Sequence, residues 1–454
     1  MKKYTISLGE KIRFGFSDIG INLAFYMITS YFMLYLTDVV GLPSKIVGTI
    51  FLIAMLFDAI NDPIIGGIAD RTRTKIGTYR PWMIAAAVPY CIVTVLCFVK
   101  VPFGTNGKIA WYLIMYCLFT VLETCYAMPQ GALPTVMTDD QDDRNLLGVF
   151  RDWGANLAGF VLGFVVVYVI MFFSEDGKSM DARGYLICTI IMCTLAAICL
   201  LVAALGTKER IKLEQQPKQS LKVLLSSVVK NRPAICIVLM VLFVNIFIGF
   251  RGNFTTYYAI YYLNNPTMIS TLFTVMYAMP LVGLLFVPKL IQKFGSKKLF
   301  IASGIFAILS GVLGLIGGRN IPMVIASYVL AGLTLAGVYA NIWGSMPGCA
   351  DYGEWKTGIA AAGLICSLAT FSMKVGGALA SYGSGWLLDF AKYDPALEVQ
   401  SEFTQNFIHM ANGILPIICG ICAILLILPY NLDKKTSETV RVELEARRAS
   451  SKAG

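Results

Sequence analysis

The chain has 454 residues, of which 57% are hydrophobic and only 14% are charged, and its mean hydropathy is +0.69. A soluble protein carries about a quarter charged residues, so a water-soluble domain is excluded. The net charge of +10 does not point to nucleic acid, because the basic residues occupy alternate loops, as topology determinants do.

Apolar runs long enough to cross about 30 Å of hydrocarbon recur at about 11–37, 46–68, 82–101, 109–134, 149–173, 184–205, 234–262, 269–290, 298–317, 321–346, 358–390 and 406–430. They predict an all-α membrane protein with about twelve transmembrane helices in two six-helix halves. The expected halves are 1–205 and 233–430, joined by a cytoplasmic central loop over 206–232 and followed by a cytoplasmic tail over 431–454. Lys2, Lys3, Lys11 and Arg13 precede the first span, and Arg71, Arg73, Lys75 and Arg80 follow the second. Lys208, Arg210, Lys212 and Lys218 lie in the central loop, and Lys289, Lys293, Lys297 and Lys298 follow the eighth span. This pattern puts both termini on the cytoplasmic side of a plasma (inner) membrane, which an even number of spans satisfies. No cleavable signal is expected, since Met1-Lys2-Lys3-Tyr4 leads into a first span that carries Asp18.

Several charged residues fall inside the predicted spans, where an unpaired charge costs several kcal/mol and marks a function by default. Asp58 and Asp62, in Phe57-Asp58-Ala59-Ile60-Asn61-Asp62-Pro63, stand at i, i+4 and so share one helix face. Two carboxylates there repel each other and suit a cation; the structural alternative is an ion pair with Lys374 or another basic residue. Asp18 in the first span is a candidate for substrate or cation contact, and Glu123 in the fourth is a candidate for function or for neutralising a charge. Arg251 in the seventh span and Lys374 in the eleventh either balance the carboxylates or bind an anionic substrate. Arg151 opens the fifth span. The single histidine, His409, is expected at a membrane interface rather than in a proton relay. Cys419-Gly420-Ile421-Cys422 has no second ligand pair nearby and is expected to be helix packing. Phe25, Tyr26, Trp153, Tyr257, Tyr258, Trp343 and Tyr382 are candidate sugar-stacking rings, although interfaces also collect aromatics.

The loop after the second span, Gly66-x-x-x-Asp70-Arg71-x-Arg73-x-Lys75-x-Gly77, resembles the loop signature of the major facilitator superfamily, with a weaker repeat at Lys289-x-x-x-Lys293-Phe294-Gly295-Ser296-Lys297-Lys298. Asp70 is expected to cap a neighbouring helix terminus. The Asp58–Asp62 run with Arg73-x-x-x-Gly77-x-x-Arg80-Pro81-Trp82 is similar to the glycoside–pentoside–hexuronide:cation symporters, the melibiose permease family. So are Met128-Pro129-Gln130-Gly131-Ala132-Leu133, Asp351-Tyr352-Gly353-Glu354-Trp355-Lys356-Thr357-Gly358 and Phe371-Ser372-x-Lys374-x-Gly376-Gly377.

That resemblance implies a major facilitator fold and a sugar or glycoside importer driven by Na⁺ or H⁺. It assigns the coupling cation to Asp58 and Asp62, with Thr124 as a further ligand; in a sodium-coupled protein these hold Na⁺. It assigns the sugar to Asp18 and Arg151, with Trp343 beside it and Lys374 linking the two sites. The chain departs from the melibiose-type pattern at Ala127, where that pattern has Asp, and at Ser17, where it has Lys, so melibiose itself is doubtful as substrate. Glu123, one turn before Ala127, is a candidate replacement for the missing carboxylate. A hexuronide carrier of the same mechanism and a lysolipid-type transporter are the alternatives. No catalytic residues, no cofactor beyond the coupling ion, no nucleic-acid partner and a monomer in the bilayer are expected, and no enzyme constellation occurs in the polar segments.

Overall fold

The computed structural model describes residues 6–432 except 70, 139, 212–225, 360–361 and 398, together with 436, 438–440 and 442–444 of the tail. Among these residues lie twelve long helices: α1 (Leu8–Met27), α2 (Ser44–Ala69), α3 (Arg80–Cys97), α4 (Thr105–Met137), α5 (Gln141–Phe173), α6 (Ala182–Gly206), α7 (Arg232–Tyr257), α8 (Thr267–Phe294), α9 (Ser296–Gly317), α10 (Ile321–Thr357), α11 (Ala362–Phe390) and α12 (Glu402–Ile427). Every predicted span has its helix. Eleven of them are long and apolar enough to cross a membrane, and the protein is a multi-pass membrane protein. The other, α1, opens with Glu10, Lys11 and Arg13 and carries Asp18, and its apolar course continues through π-helical turns at Ile28–Phe32 and Tyr35–Val39.

Several helices outrun their apolar segments, because a helix continues in water wherever capping and local packing support it. The longest, α10, has 37 residues, or about 55 Å at 1.5 Å per residue, well beyond the hydrocarbon. Its last turns are the Asp351–Thr357 block, and it ends on Gly358 at φ 72°, whose N–H donates to the Glu354 carbonyl. Only glycine takes that left-handed end without strain.

The chain divides into two compact units. The first holds Met1–Gln215, Gly252–Tyr277 and Ser381–Ile408, and the second holds Gln216–Arg251, Ala278–Ala380 and His409–Gly454. The first unit therefore takes residues from both sides of the polar loop at 206–232, while the second lies wholly from Gln216 onward. In the first unit α2 meets the end of α11 so closely that a Cβ on Gly385 would lie 2.5 Å from the Ser44 carbonyl oxygen. Tyr26 and Tyr277 bring α1 to α8 with ring centroids 5.1 Å apart.

Two further features of the first unit position its polar groups. Gly15 of α1 and Gly154 of α5 face each other, and a Cβ on Gly154 would fall 2.5 Å from the Gly15 carbonyl oxygen. The segment after α6 then binds three helix ends. The Glu209 carboxylate accepts from the backbone N–H groups of Thr78 (2.8 Å), Tyr79 (2.8 Å) and Arg80 (2.9 Å) at the start of α3. Arg210 donates to Glu10 of α1 at 2.7 Å and, through its backbone, to the Val136 carbonyl of α4. The cap on α3 thus comes from Glu209; Asp70, expected to cap a helix terminus, lies outside the described residues.

Candidate functional site

The first cluster sits where α2 packs on α4. Asp58 and Asp62, one turn apart, both face Thr124, whose hydroxyl oxygen is 3.3 Å from Asp58 Oδ1 and 2.7 Å from Asp62 Oδ1. Asp58 and Thr124 are buried and Asp62 is half-buried. Thr124 has one proton, so it donates to the nearer Asp62 and offers its lone pairs to the space it shares with both carboxylates. Two carboxylate oxygens and a hydroxyl oxygen are hard donors of the kind a small hard cation takes. The amide nitrogen of Asn61, between the two acids in sequence, is buried without a hydrogen-bond partner among the described residues. This oxygen-rich donor set fits a monovalent ion or a proton as cargo. Among the described residues no group of three or more His, Cys, Asp or Glu side chains could hold a metal.

The second cluster is built by the glycine contact between α1 and α5. Asp18 on α1 is buried, and Arg151 on α5 donates from Nε to Asp18 Oδ2 at 3.1 Å. Gln130 of α4 donates from Nε2 to Ser17 Oγ at 2.7 Å and also to Asp18 Oδ2. Ser17 Oγ lies 2.5 Å from the Phe14 carbonyl and 3.2 Å from Asp18 Oδ2. The α4 side chain bonded to Asp18 is therefore Gln130. Glu123 is half-buried, beside Thr124 in sequence and within electrostatic reach of Tyr90 and Tyr116. The sequence signal for Gln130 is an uncharged polar residue directly after Pro129 in an apolar helix.

A third polar group, missed in sequence, lies beyond α1 in the π-helical turn Tyr35–Val39. Asp38 accepts from Thr37 (2.6 Å), Tyr261 (2.5 Å) and Tyr393, while Thr37 also meets the Tyr257 hydroxyl at 2.9 Å. Tyr257, a candidate stacking ring, thus places its hydroxyl in this network.

In the second unit, Arg251 is 1% exposed. Its guanidinium donates to the Asn412 carbonyl (2.7 Å) and to Ser327 (2.5 Å), and stacks 3.9 Å over the Tyr328 ring. This cage of hydroxyl, carbonyl and ring holds the guanidinium within helix packing, and none of these partners is one of the intramembrane carboxylates. Lys374 is half-buried on α11. The side chain of Trp343 lies outside the described residues. His409 meets the Leu315 carbonyl at 3.2 Å.

Residues 13–434 match the family described as MFS/sugar transport protein. The chain is similar to an uncharacterized symporter, YnaJ, of Bacillus subtilis (strain 168), at 30% identity over 97% of this chain and 96% of that protein. It is also similar to the isoprimeverose transporter of Lactiplantibacillus pentosus, at 27% identity over 95% of this chain and 90% of that protein. Among solved structures it resembles the nucleoside transporter NupG, with a TM-score of 0.63 and 12% identity over 92% of this chain and 99% of that one. At that identity the likeness shows the fold alone.

Proposed function

The chain belongs to the MFS/sugar transport family, and we propose that within it the protein is a symporter, not an enzyme, that imports a neutral sugar or glycoside with Na⁺ or H⁺ by alternating access. The observation that carries this reading is the pairing of two polar clusters on one helix. Thr124 and Gln130 both belong to α4, about 9 Å apart along its axis. The first touches Asp58 and Asp62 and the second touches Asp18.

In this reading the cation neutralises the repelling Asp58–Asp62 pair, with Thr124 as a third oxygen ligand. The sugar binds at Asp18 and Arg151. Binding at one site then favours binding at the other, and the coupling is reciprocal. Relatives named for symport and for isoprimeverose support a sugar as cargo. A neutral sugar is preferred to a hexuronide because the Arg151 charge is balanced by the Asp18 carboxylate beside it, so the pair carries no net positive charge for an anion. An anion would also meet the Asp18 carboxylate at close range. The basic loops support cytoplasmic termini in a plasma membrane, and we take the monomer as the working unit.

Uptake of neutral and anionic sugars into vesicles, driven by a Na⁺ gradient or by a proton gradient alone, tests the proposal. Cation-dependent accumulation of a neutral glycoside is expected. Accumulation of hexuronides only would overturn the neutral reading, and uptake that ignores both gradients would overturn symport.

A further inference from the structure

On the reading that Asp18 and Arg151 contact the sugar, we propose that Gln130 is a positioning residue that keeps one oxygen of Asp18 available to substrate. Every hydrogen bond to the Asp18 carboxylate goes to the same oxygen. Oδ2 accepts from Gln130 Nε2 and from Arg151 Nε at 3.1 Å. Ser17 Oγ lies 3.2 Å from it, but its one proton serves the nearer Phe14 carbonyl at 2.5 Å. Oδ1 has no hydrogen bond among the described residues. A carboxylate offers about four lone-pair sites, so the spare capacity of Asp18 lies on Oδ1.

Arg151 has a matching surplus. It meets Asp18 through Nε alone, its side chain is 34% exposed, and neither Nη1 nor Nη2 makes a hydrogen bond among the described residues. The pair therefore presents one acceptor beside two donors. Adjacent hydroxyls of a neutral sugar fit this array, one donating to Oδ1 and its neighbour accepting from Arg151.

An Asp–Arg pair left alone does not keep that arrangement. Guanidinium and carboxylate favour a fork in which both carboxylate oxygens are used, and the terminal torsion of Asp is soft enough to allow it. Gln130 prevents the rotation by holding Oδ2. It is 1% exposed and fixed a second time by its 2.7 Å bond to Ser17. Its amide orientation is determined, since a rotated amide would set a carbonyl oxygen against the Asp18 carboxylate. Ser17 and Gln130 thus act through Asp18 rather than on the sugar.

The test compares wild type, Gln130→Leu and Gln130→Glu in proteoliposomes with saturating Na⁺ and an acid exterior. The probes are radiolabelled neutral pentosides and hexosides and their monodeoxy analogues. Both variants are expected to raise the sugar KM by about tenfold or more, the loss of a hydrogen bond that depends on a charged acceptor. The maximal rate and the half-saturating cation concentration should stay within about twofold of wild type. The deoxy analogue most penalised in wild type should lose most of that penalty in Gln130→Leu, because Oδ1 is no longer held for the missing hydroxyl. An unchanged KM in both variants with the deoxy penalty intact overturns the assignment. A fall in maximal rate together with melting temperature, at constant KM, overturns it in favour of a structural role. Absence of uptake of every neutral sugar by wild type overturns the underlying reading of the Asp18 site instead.

Discussion

Replacing Thr124 by Val removes the hydroxyl from the Asp58–Asp62 cluster and leaves the shape of the side chain nearly unchanged. The lost contacts are the 2.7 Å hydrogen bond to Asp62 and the 3.3 Å approach to Asp58. A hydrogen bond to a charged group contributes about 1.5–3 kcal/mol, and Thr124 is buried, so water does not replace it easily. If the oxygen also ligates Na⁺, its removal raises the half-saturating Na⁺ concentration by roughly 10- to 150-fold. Sugar KM at saturating Na⁺ should move by less than about threefold, because the contact from α4 to Asp18 comes from Gln130 six residues further on. The assay is sugar uptake as a function of Na⁺ in proteoliposomes. Thr120→Val is the control on the same helix, since Thr120 donates to the Cys117 carbonyl of its own turn at 2.9 Å. A Na⁺ dependence in Thr124→Val equal to that of the control would refute the reasoning.

Enlarging Gly154 to Leu forces side-chain atoms into the Gly15 carbonyl, 2.5 Å from an added Cβ. Overpacking of this kind costs about 1–3 kcal/mol and moves Arg151 away from Asp18. Lower thermal stability in detergent and a raised sugar KM should appear together, and an unaltered protein would count against the glycine contact as the device that sets the pair. Glu209→Ala leaves three N–H groups at the start of α3 without their acceptor, at about 1–2 kcal/mol for a lost cap; hydrogen exchange at Thr78–Arg80 should accelerate more than elsewhere in α3. The Lys11 ammonium, 2.6 Å from Asp143, holds the Asp143 carboxyl below its ordinary value. A depressed folded-state value means the stabilisation is complete above the usual carboxylate range of about 3.9 and is lost as pH falls through the lowered value. Melting curves of wild type and Asp143→Asn should therefore differ at neutral pH and converge in acid.

Much of the fold was legible because the membrane imposes it. Hydrocarbon thickness and backbone hydrogen bonding set span length, and each predicted span has its helix. Helix ends beyond the apolar run were not legible, because α10 continues through Asp351–Thr357 in a polar sequence that hydropathy cannot distinguish from a loop. In the candidate site, Asp58 with Asp62 was visible from helical spacing alone, and the family resemblance supplied Thr124 and the Asp18–Arg151 assignment. Charge alone did not place Arg251, since a buried guanidinium packed on Asn412, Ser327 and Tyr328 looks the same in sequence as one facing a ligand. Gln130, Glu209 and Asp38 were missed for a shared reason. Each acts on a group far away in the chain: Gln130 on Asp18, Glu209 on the start of α3, and Asp38 with Tyr261 and Tyr393. No spacing rule connects such residues.

The central claim is that the Asp58–Asp62 pair couples a cation gradient to sugar movement. Its most direct test is accumulation against equilibrative exchange in proteoliposomes carrying wild type, Asp58→Cys or Asp62→Cys. Wild type should concentrate sugar under an inward cation gradient, while each variant should lose that concentration and keep sugar exchange at zero gradient. Wild-type accumulation by both variants would contradict the assignment of coupling to this pair.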